Sequence, residues 1–266
     1  MKILFIKNRK LLCVSLISIV TFLLLFSIFF LINFSSIAVE LSKNSFFNID
    51  VTTTLNDISK SDEKKAYLTF DDGPTSKATG KILDVLKNEN VKATFFVVGK
   101  HVKEYPELVK REYEEGHYIA NHGYNHNNTL LYKSMKNFEN EIVSTDLEIS
   151  KAIGVENYSS HIFRFPNGYM SHIYTTQKKE ALKVLRDLDY VYVDWNCLNK
   201  DSERKQSNYQ LVNNLKRTAK DKGTLIILMH DTADVNKTYN ILSESISYLR
   251  SQGYEFRNFY DFVNDN

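Results

Sequence analysis

From Lys65 onward the sequence alternates between short apolar runs and amphipathic stretches, and no other feature constrains the fold as strongly. Ala66–Phe70, Ala93–Val98, Tyr118–Asn121, His161–Phe165, Val191–Asp194, Thr224–Met229 and Glu255–Phe259 read as strands. Between them, Lys77–Asn88, Glu107–Glu115, Lys136–Ile153, Thr176–Leu188, Asn208–Lys222 and Tyr239–Arg250 read as helices, four of them closed by Gly116, Gly154, Gly223 and Gly253. A strand followed by a helix, repeated in this way, places the strands parallel with helical crossovers. The result is a (β/α) barrel or a doubly wound sheet. Both architectures gather reactive groups at the carboxyl ends of the strands.

The polar residues fall where that rule puts them. Tyr67–Phe70 runs straight into Asp71 and Asp72, and Gly73-Pro74 then forces a turn. Adjacent side chains at a strand end point in different directions, so the two carboxylates can serve different purposes around one point. Asn121-His122-Gly123-Tyr124-Asn125-His126 follows the third strand. Arg164-Phe165-Pro166-Asn167-Gly168 closes the fourth, Asp194-Trp195-Asn196 the fifth and Leu228-Met229-His230-Asp231 the sixth. Scattered surface polarity would not concentrate at one end of five strands, so a single site is expected there.

His122 and His126 are four residues apart, a spacing at which two imidazoles can grip one divalent ion. Asp72 is the expected third ligand. Two neutral nitrogens and one anionic oxygen suit Zn²⁺, with Fe²⁺, Co²⁺, Mn²⁺ and Ni²⁺ chemically admissible. Asp71 would then stand beside the ion as general base, with Arg164 placed to pair with it and keep it ionised. His230 is the expected acid for a leaving group, oriented by Asp194 or Asp231. Trp195 is the one aromatic expected to face a ligand. His101, His117, His161 and His172 have no such setting and read as surface or packing residues.

The amino terminus is of another kind. Lys2, Lys7, Arg9 and Lys10 precede residues 11–34, which carry no charge. As a helix those 24 residues would reach about 36 Å, enough to cross a hydrocarbon core of ~30 Å. The basic flank puts residues 1–10 in the cytoplasm and the rest of the chain outside. Ser36-Ile37-Ala38 would suit a signal-peptidase site, but the apolar run is far longer than a signal peptide's, which favours an uncleaved anchor. The polar residues 35–62 read as a stalk, and 63–266 as the catalytic domain. Without the four basic residues of the terminus, 30 Lys and Arg face 32 Asp and Glu, so the exported part is nearly neutral and no nucleic-acid partner is expected. Cys13 lies in the expected span and Cys197 in the domain, so the fold must stand without a disulfide.

With these residues assembled, the sequence resembles the polysaccharide deacetylase (NodB-like) family, carbohydrate esterase family 4, from about Lys65 to Val263. TFDDGP at 69–74 matches fully. NHGYNH at 121–126 matches the H-[ST]-x-x-H motif except for Gly123, and RFPNG at 164–168 matches R-x-P-[YG]-G except for Asn167. DWN at 194–196 and LMHD at 228–231 fit the last two motifs. The resemblance implies an α/β fold, a distorted, incomplete (β/α) barrel here preceded by the transmembrane helix. It implies Asp71 as base, Asp72, His122 and His126 as metal ligands, Arg164 tuning Asp71, Asp194 orienting His230, and His230 as acid. It further implies that Trp195 and Leu228 wall an acetyl pocket and that the Asn167 backbone N–H helps hold the oxyanion. Gly123 removes a hydroxyl that could brace the ligand turn.

The expected activity is metal-dependent removal of N-acetyl groups from N-acetylglucosamine-type residues of a polysaccharide, releasing acetate. Peptidoglycan comes first because an anchored domain sits beside the wall. Chitin oligomers, an acetylated xylan or an exopolysaccharide are the other substrates, and a non-catalytic glycan-binding membrane protein is the alternative of a different class. No protein partner is expected.

Overall fold

Among the described residues eight strands, all parallel, form one sheet in the order β5-β4-β3-β2-β1-β7-β6, with β8 also paired to β1. The computed structural model describes residues 60–232 and 237–263. The strands are β1 (Lys65–Asp71), β2 (Thr94–Val97), β3 (Tyr118–Asn121), β4 (Ile162–Phe163), β5 (Val191–Tyr192), β6 (Cys197–Leu198), β7 (Leu225–His230) and β8 (Glu255–Arg257). The helices are α1 (Thr79–Asn88), α2 (Gly99–Glu104), α3 (Pro106–Glu114), α4 (Asn128–Leu131), α5 (Met135–Ile153), α6 (Thr175–Asp187), α7 (Asn208–Ala219), α8 (Leu242–Ser251) and α9 (Tyr260–Val263). The longest helix has the ends its sequence suggests, whereas α7 stops at Ala219, short of the expected Gly223. The Ser134 hydroxyl accepts the Asn137 N–H at the start of α5, and Gly154 closes it in the left-handed conformation.

One short connection forces the sheet to curl. β5 and β6 are the two ends of the seven-strand path, yet only residues 193–196 separate them in the chain. Five Cα–Cα steps span at most ~18 Å, whereas seven strands laid flat would be roughly 29 Å across. The ends must therefore come round towards each other. The Val193 N–H donates to Phe163 on one side of the gap and the Asn196 N–H to Ile226 on the other (3.0 and 3.1 Å), so the segment bridges the opening without closing the barrel. The result is the open, distorted (β/α) half-barrel that the alternation and the motifs lead one to expect.

Strand alternation sorts the side chains into two layers. Ala66, Leu68 and Phe70 face the helices with Phe95, Val97, Ile119, Ile227 and Met229. Tyr67, Phe96, Tyr118, Ala120, Ile162, Val191, Val193 and Ile226 fill the lumen and pack on Phe259. Asp71, His122, Arg164 and His230 continue the lumen parity to the carboxyl ends, so one open end of the half-barrel collects them.

The short α2 and α4 and the two-residue β6 have no counterpart in the periodicity, because elements this short carry too few residues to reveal a period. Lys60–Asp62, expected as the end of the stalk, is already packed on the domain: Ser61 O accepts the Thr224 N–H (2.9 Å). The expected cytoplasmic residues 1–10, the span 11–34 and residues 35–59 lie outside the described residues. Among the described residues no helix is long and apolar enough to cross a membrane.

Glu112 stands out in the α3 interface. It is fully buried, and neither carboxyl oxygen has a hydrogen-bond partner among the described residues. Burial, helped by the nearby charge of Asp231, pushes its pKa well above the ordinary 4.5. A carboxyl held protonated in the fold stabilises it below the unfolded pKa, and that stability drains away as pH rises towards the folded value. Glu112→Gln removes the titration, so urea midpoints should show the variant gaining on the wild type as pH rises above the ordinary carboxylate range. Parallel pH profiles would contradict this.

Candidate metal centre and active site

The turn after β1 brings its two carboxylates to opposite sides of one point. Asp71 keeps the strand's lumen direction, while Asp72 has φ 74°, which swings its side chain back over the sheet end. Gly73 is required there, because a Cβ would lie 2.2 Å from Asp231 Oδ2. The His101 Nδ1–H donates to Asp72 O (2.8 Å) and secures the turn from α2. His101 is therefore part of the site's support, not the surface or packing residue expected.

Asp72, His122 and His126 converge. Asp72 Oδ1 lies 3.5 Å from His122 Nε2 and 3.2 Å from His126 Nε2. Two atoms each about 2.0–2.1 Å from a tetrahedral Zn²⁺ are roughly 3.3–3.4 Å apart, so Asp72 Oδ1 already stands at ligand spacing from both imidazoles, and the three groups offer ligand atoms within 4.8 Å of one another. The tautomer fits as well. His122 Nδ1 lies 2.7 Å from Arg164 O, a pure acceptor, so Nδ1 carries the proton and Nε2 offers its lone pair. Burial opposes ionisation of Asp72, but the imidazoles of His122, His126 and His230 around it outweigh burial and hold its carboxyl well below the usual range. Burial, with the charge of His122, lowers the pKa of His126 against the pull of Asp72 and Asp71. An ionised carboxylate and a neutral imidazole are what a cation needs.

Asp71 and Arg164 form the buried pair beside this cluster. Arg164 is fully buried and Asp71 only 4 % exposed. Arg164 Nη1 donates to Asp71 Oδ1 (2.8 Å) and to Thr69 Oγ1 (2.7 Å), and its guanidinium lies 3.9 Å over the Phe96 ring. Asp71 Oδ2 is left facing the cluster, 3.9 Å from His122 Nε2. His230 is paired in register with Asp71 across the β1–β7 ladder, so it stands one strand away on the same face.

The partner of His230 is neither acid expected from the sequence. Asp201, 4 % exposed, accepts the His230 Nδ1–H at Oδ1 (2.7 Å) and the His230 backbone N–H at Oδ2 (2.8 Å), and the Thr238 hydroxyl donates to the same Oδ2. Asp231 has the opposite strand parity: it faces the helices and accepts the Thr79 hydroxyl (2.6 Å). Asp194 points away from His230 for the same reason, and its carboxylate accepts the N–H groups of Tyr169 (2.8 Å) and Met170 (3.0 Å). Burial alone would lower the His230 pKa. The hydrogen bond and charge of Asp201, with Asp71 and Asp72, outweigh it and raise the pKa to about 9.

Asp194 thus braces the loop carrying Asn167 instead of the imidazole. Lys178, buried on α6, holds the loop from the other side, donating to Gly168 O (2.6 Å), Ser171 O (3.2 Å) and Ser171 Oγ (2.5 Å). Asn167 takes φ 67°, and its Oδ1 accepts from Asn128 Nδ2 (2.8 Å) beside the histidine turn. Trp195 and Leu228 continue the lumen parity at this mouth, Trp195 half-buried against the lumen core and Leu228 buried. A cleft of about 380 Å³, lined by Ser76, Lys77, Lys100, His101 and Tyr105, leads away from Asp72 and His126. A larger hollow of about 680 Å³ behind α5 contains none of these groups.

Sequence reading missed Asp201, Lys178 and the role of His101. Asp201 had one usable signal: it follows β6 by three residues, but a two-residue strand hid the fact that it lies at a strand end.

Comparison with known proteins gives the family. Residues 58–193 match the family described as polysaccharide deacetylase. The chain is 35% identical over 194 residues to the peptidoglycan-N-acetylglucosamine deacetylase PgdA of Listeria monocytogenes, covering 73% of this chain and 37% of that protein. It therefore spans little more than a third of that relative's length. It is 32% identical over 201 residues to the peptidoglycan-N-acetylmuramic acid deacetylase PdaA of Bacillus subtilis, covering 76% and 72%. The crystal structure of the catalytic domain of peptidoglycan N-acetylglucosamine deacetylase from Eubacterium rectale is similar with a TM-score of 0.67 at 30% identity, over 73% of this chain and 88% of that one. In matched residues, relatives and fold, this chain belongs to the polysaccharide deacetylase (NodB-like) family, carbohydrate esterase family 4.

Proposed function

We propose that the chain is a metal-dependent N-deacetylase that releases acetate from N-acetylglucosamine-type residues of a polysaccharide, with peptidoglycan the foremost substrate. The observation that carries this reading is the convergence of Asp72, His122 and His126 within ion-binding distance of one another, with Asp71 and His230 on the adjoining strands. Support for peptidoglycan comes from the named activities of the relatives. Residues 11–34 are proposed to anchor the chain in the cytoplasmic membrane with the domain outside, beside the wall; the uncharged run and its basic flank support this.

A divalent cation, Zn²⁺ by preference, would be held by Asp72 Oδ1, His122 Nε2 and His126 Nε2, and when bound it supplies Lewis-acid polarisation and lowers the pKa of water. Asp71 takes the proton of the attacking water at Oδ2, since Arg164 occupies Oδ1. The Asn167 N–H, on a loop fixed by Lys178 and Asp194, is assigned to the developing oxyanion. His230 delivers a proton from Nε2 to the departing amine, because Nδ1–H is committed to Asp201. The C–N bond breaks, leaving acetate and a free amine. Trp195 and Leu228 border the space assigned to the acetyl methyl.

Asp71→Asn should keep the metal and lose activity by roughly 10²–10⁴-fold, whereas His126→Ala should lose both. Acetate release from N-acetylated glycan and metal content measured on the same samples test this, and near-normal release by Asp71→Asn would contradict the role given to it. Asp201→Asn tests the acid. His230 is protonated below its raised pKa of about 9 and loses the proton above it, so activity should fall on the alkaline side. Removing the Asp201 charge lowers that pKa, so the alkaline limb should move to lower pH and kcat should drop. An unmoved limb would rule out His230 as the acid held by Asp201.

A further inference from the structure

The turn that carries both imidazoles is held by a side chain from α5. Glu141 is 8 % exposed and lies on the buried stripe of that helix, between Phe138 and Ile142. Its Oε2 accepts the backbone N–H groups of Tyr124 (2.7 Å) and Asn125 (2.8 Å), and its Oε1 accepts Asn125 Nδ2 (2.6 Å). Three donors on the link between His122 and His126 therefore end on one carboxylate. The link's first N–H, that of Gly123, goes to Asn121 Oδ1 (2.9 Å). Its carbonyls are taken from the α2 side, Gly123 O by the Gly99 N–H and Tyr124 O by the Lys100 N–H, both at 3.0 Å.

The two histidines differ in what aims them. The His122 ring is fixed by its own Nδ1–H on Arg164 O. Among the described residues no hydrogen bond holds the His126 ring nitrogen Nδ1, the side chain is 34 % exposed, and the residue sits at φ 51°. The direction of His126 Nε2 therefore depends on the backbone of the turn. In this chain that turn also lacks the Ser/Thr hydroxyl of the family motif, because Gly123 stands there at φ 79°. A Cβ at that position would already reach 3.6 Å from Glu141 Oε2.

We infer that Glu141 is the positioning residue of the metal centre, its carboxylate clamping the Gly123–Asn125 link so that His126 Nε2 is presented to the ion held by Asp72 and His122. Glu141 touches neither the ion nor the substrate. It acts through the turn, in place of the hydroxyl that this sequence does without. The inference rests on the metal-binding reading proposed above.

Zn²⁺ affinity of the full chain, measured by competition with a chromophoric chelator, tests it. Glu141→Ala should weaken binding about 10–100-fold, while kcat at saturating Zn²⁺ returns to within a few-fold of wild type. Glu141→Gln should recover most of the affinity, since the Gln carbonyl can accept both N–H groups and the Asn125 amide can turn to accept from the Gln NH₂. Asn125→Asp offers an independent route that leaves the helix untouched. It sets a second carboxylate against Glu141 and should weaken Zn²⁺ binding, and adding Glu141→Gln should restore it. Wild-type affinity in both Glu141→Ala and Asn125→Asp overturns the inference alone. A loss of kcat in Glu141→Ala that saturating Zn²⁺ does not recover also overturns it, by pointing to general structural damage. A wild-type chain that binds no stoichiometric Zn²⁺ overturns the functional reading as well.

Discussion

One guanidinium ties the site together. Arg164 gives Nη1 to Asp71 and Thr69 on β1, Nε to Val193 O (3.0 Å) and Nη2 to Asp194 O (3.2 Å). Its own carbonyl receives the His122 Nδ1–H, and its N–H goes to Asn121 O (3.0 Å). The assigned base, an imidazole of the candidate metal centre and the segment bridging the open side of the half-barrel are thus fixed against one buried residue. Removing one partner of a buried ion pair costs about 3–5 kcal/mol, because the other charge is left without compensation. That cost is why the lumen end of β1 can carry a carboxylate 4 % exposed. Lys is no substitute, since a single ammonium cannot present this fork of donors.

Around that residue the site is built from braces on loops. Asp201 fixes the tautomer of His230, Lys178 and Asp194 grip the Asn167 loop from two sides, and His101 secures the Asp72 turn. Each brace comes from an element other than the one it steadies. Loops at the end of a rigid sheet are free to vary, but a metal centre needs its ligands held to fractions of an ångström. Carboxylates and a buried ammonium placed on backbone N–H and C=O groups supply that restraint.

Much of this was legible in the sequence, for a physical reason. Period-two alternation in β1 and β7 puts Asp71 and His230 on the lumen face, and the doublet Asp71-Asp72 before Gly73-Pro74 marks where β1 stops. The spacing of His122 and His126 survives because it needs only a turn, not a helix; Gly123 and Asn125 are in no helix. What stayed hidden depends on contacts between residues distant in sequence. The pairing of Asp201 with His230 spans 29 residues and rests on a strand too short to show a period. Strand parity would have weighed against Asp194 and Asp231 as its partners, since both alternate away from the lumen. Glu141 left a trace, an acid inside the buried stripe of α5, but only the fold reveals that its carboxylate meets the histidine turn.

The central claim is that one carboxylate and two imidazoles from the turns after β1 and β3 share an ion. X-ray absorption at the zinc edge of the Zn²⁺-loaded full chain tests it most directly. The account predicts two imidazole nitrogens and a carboxylate oxygen at about 2.0–2.2 Å with lighter-atom ligands filling the rest. A sulfur at ~2.3 Å, which would implicate Cys197, or an ion with no imidazole in its shell would contradict it.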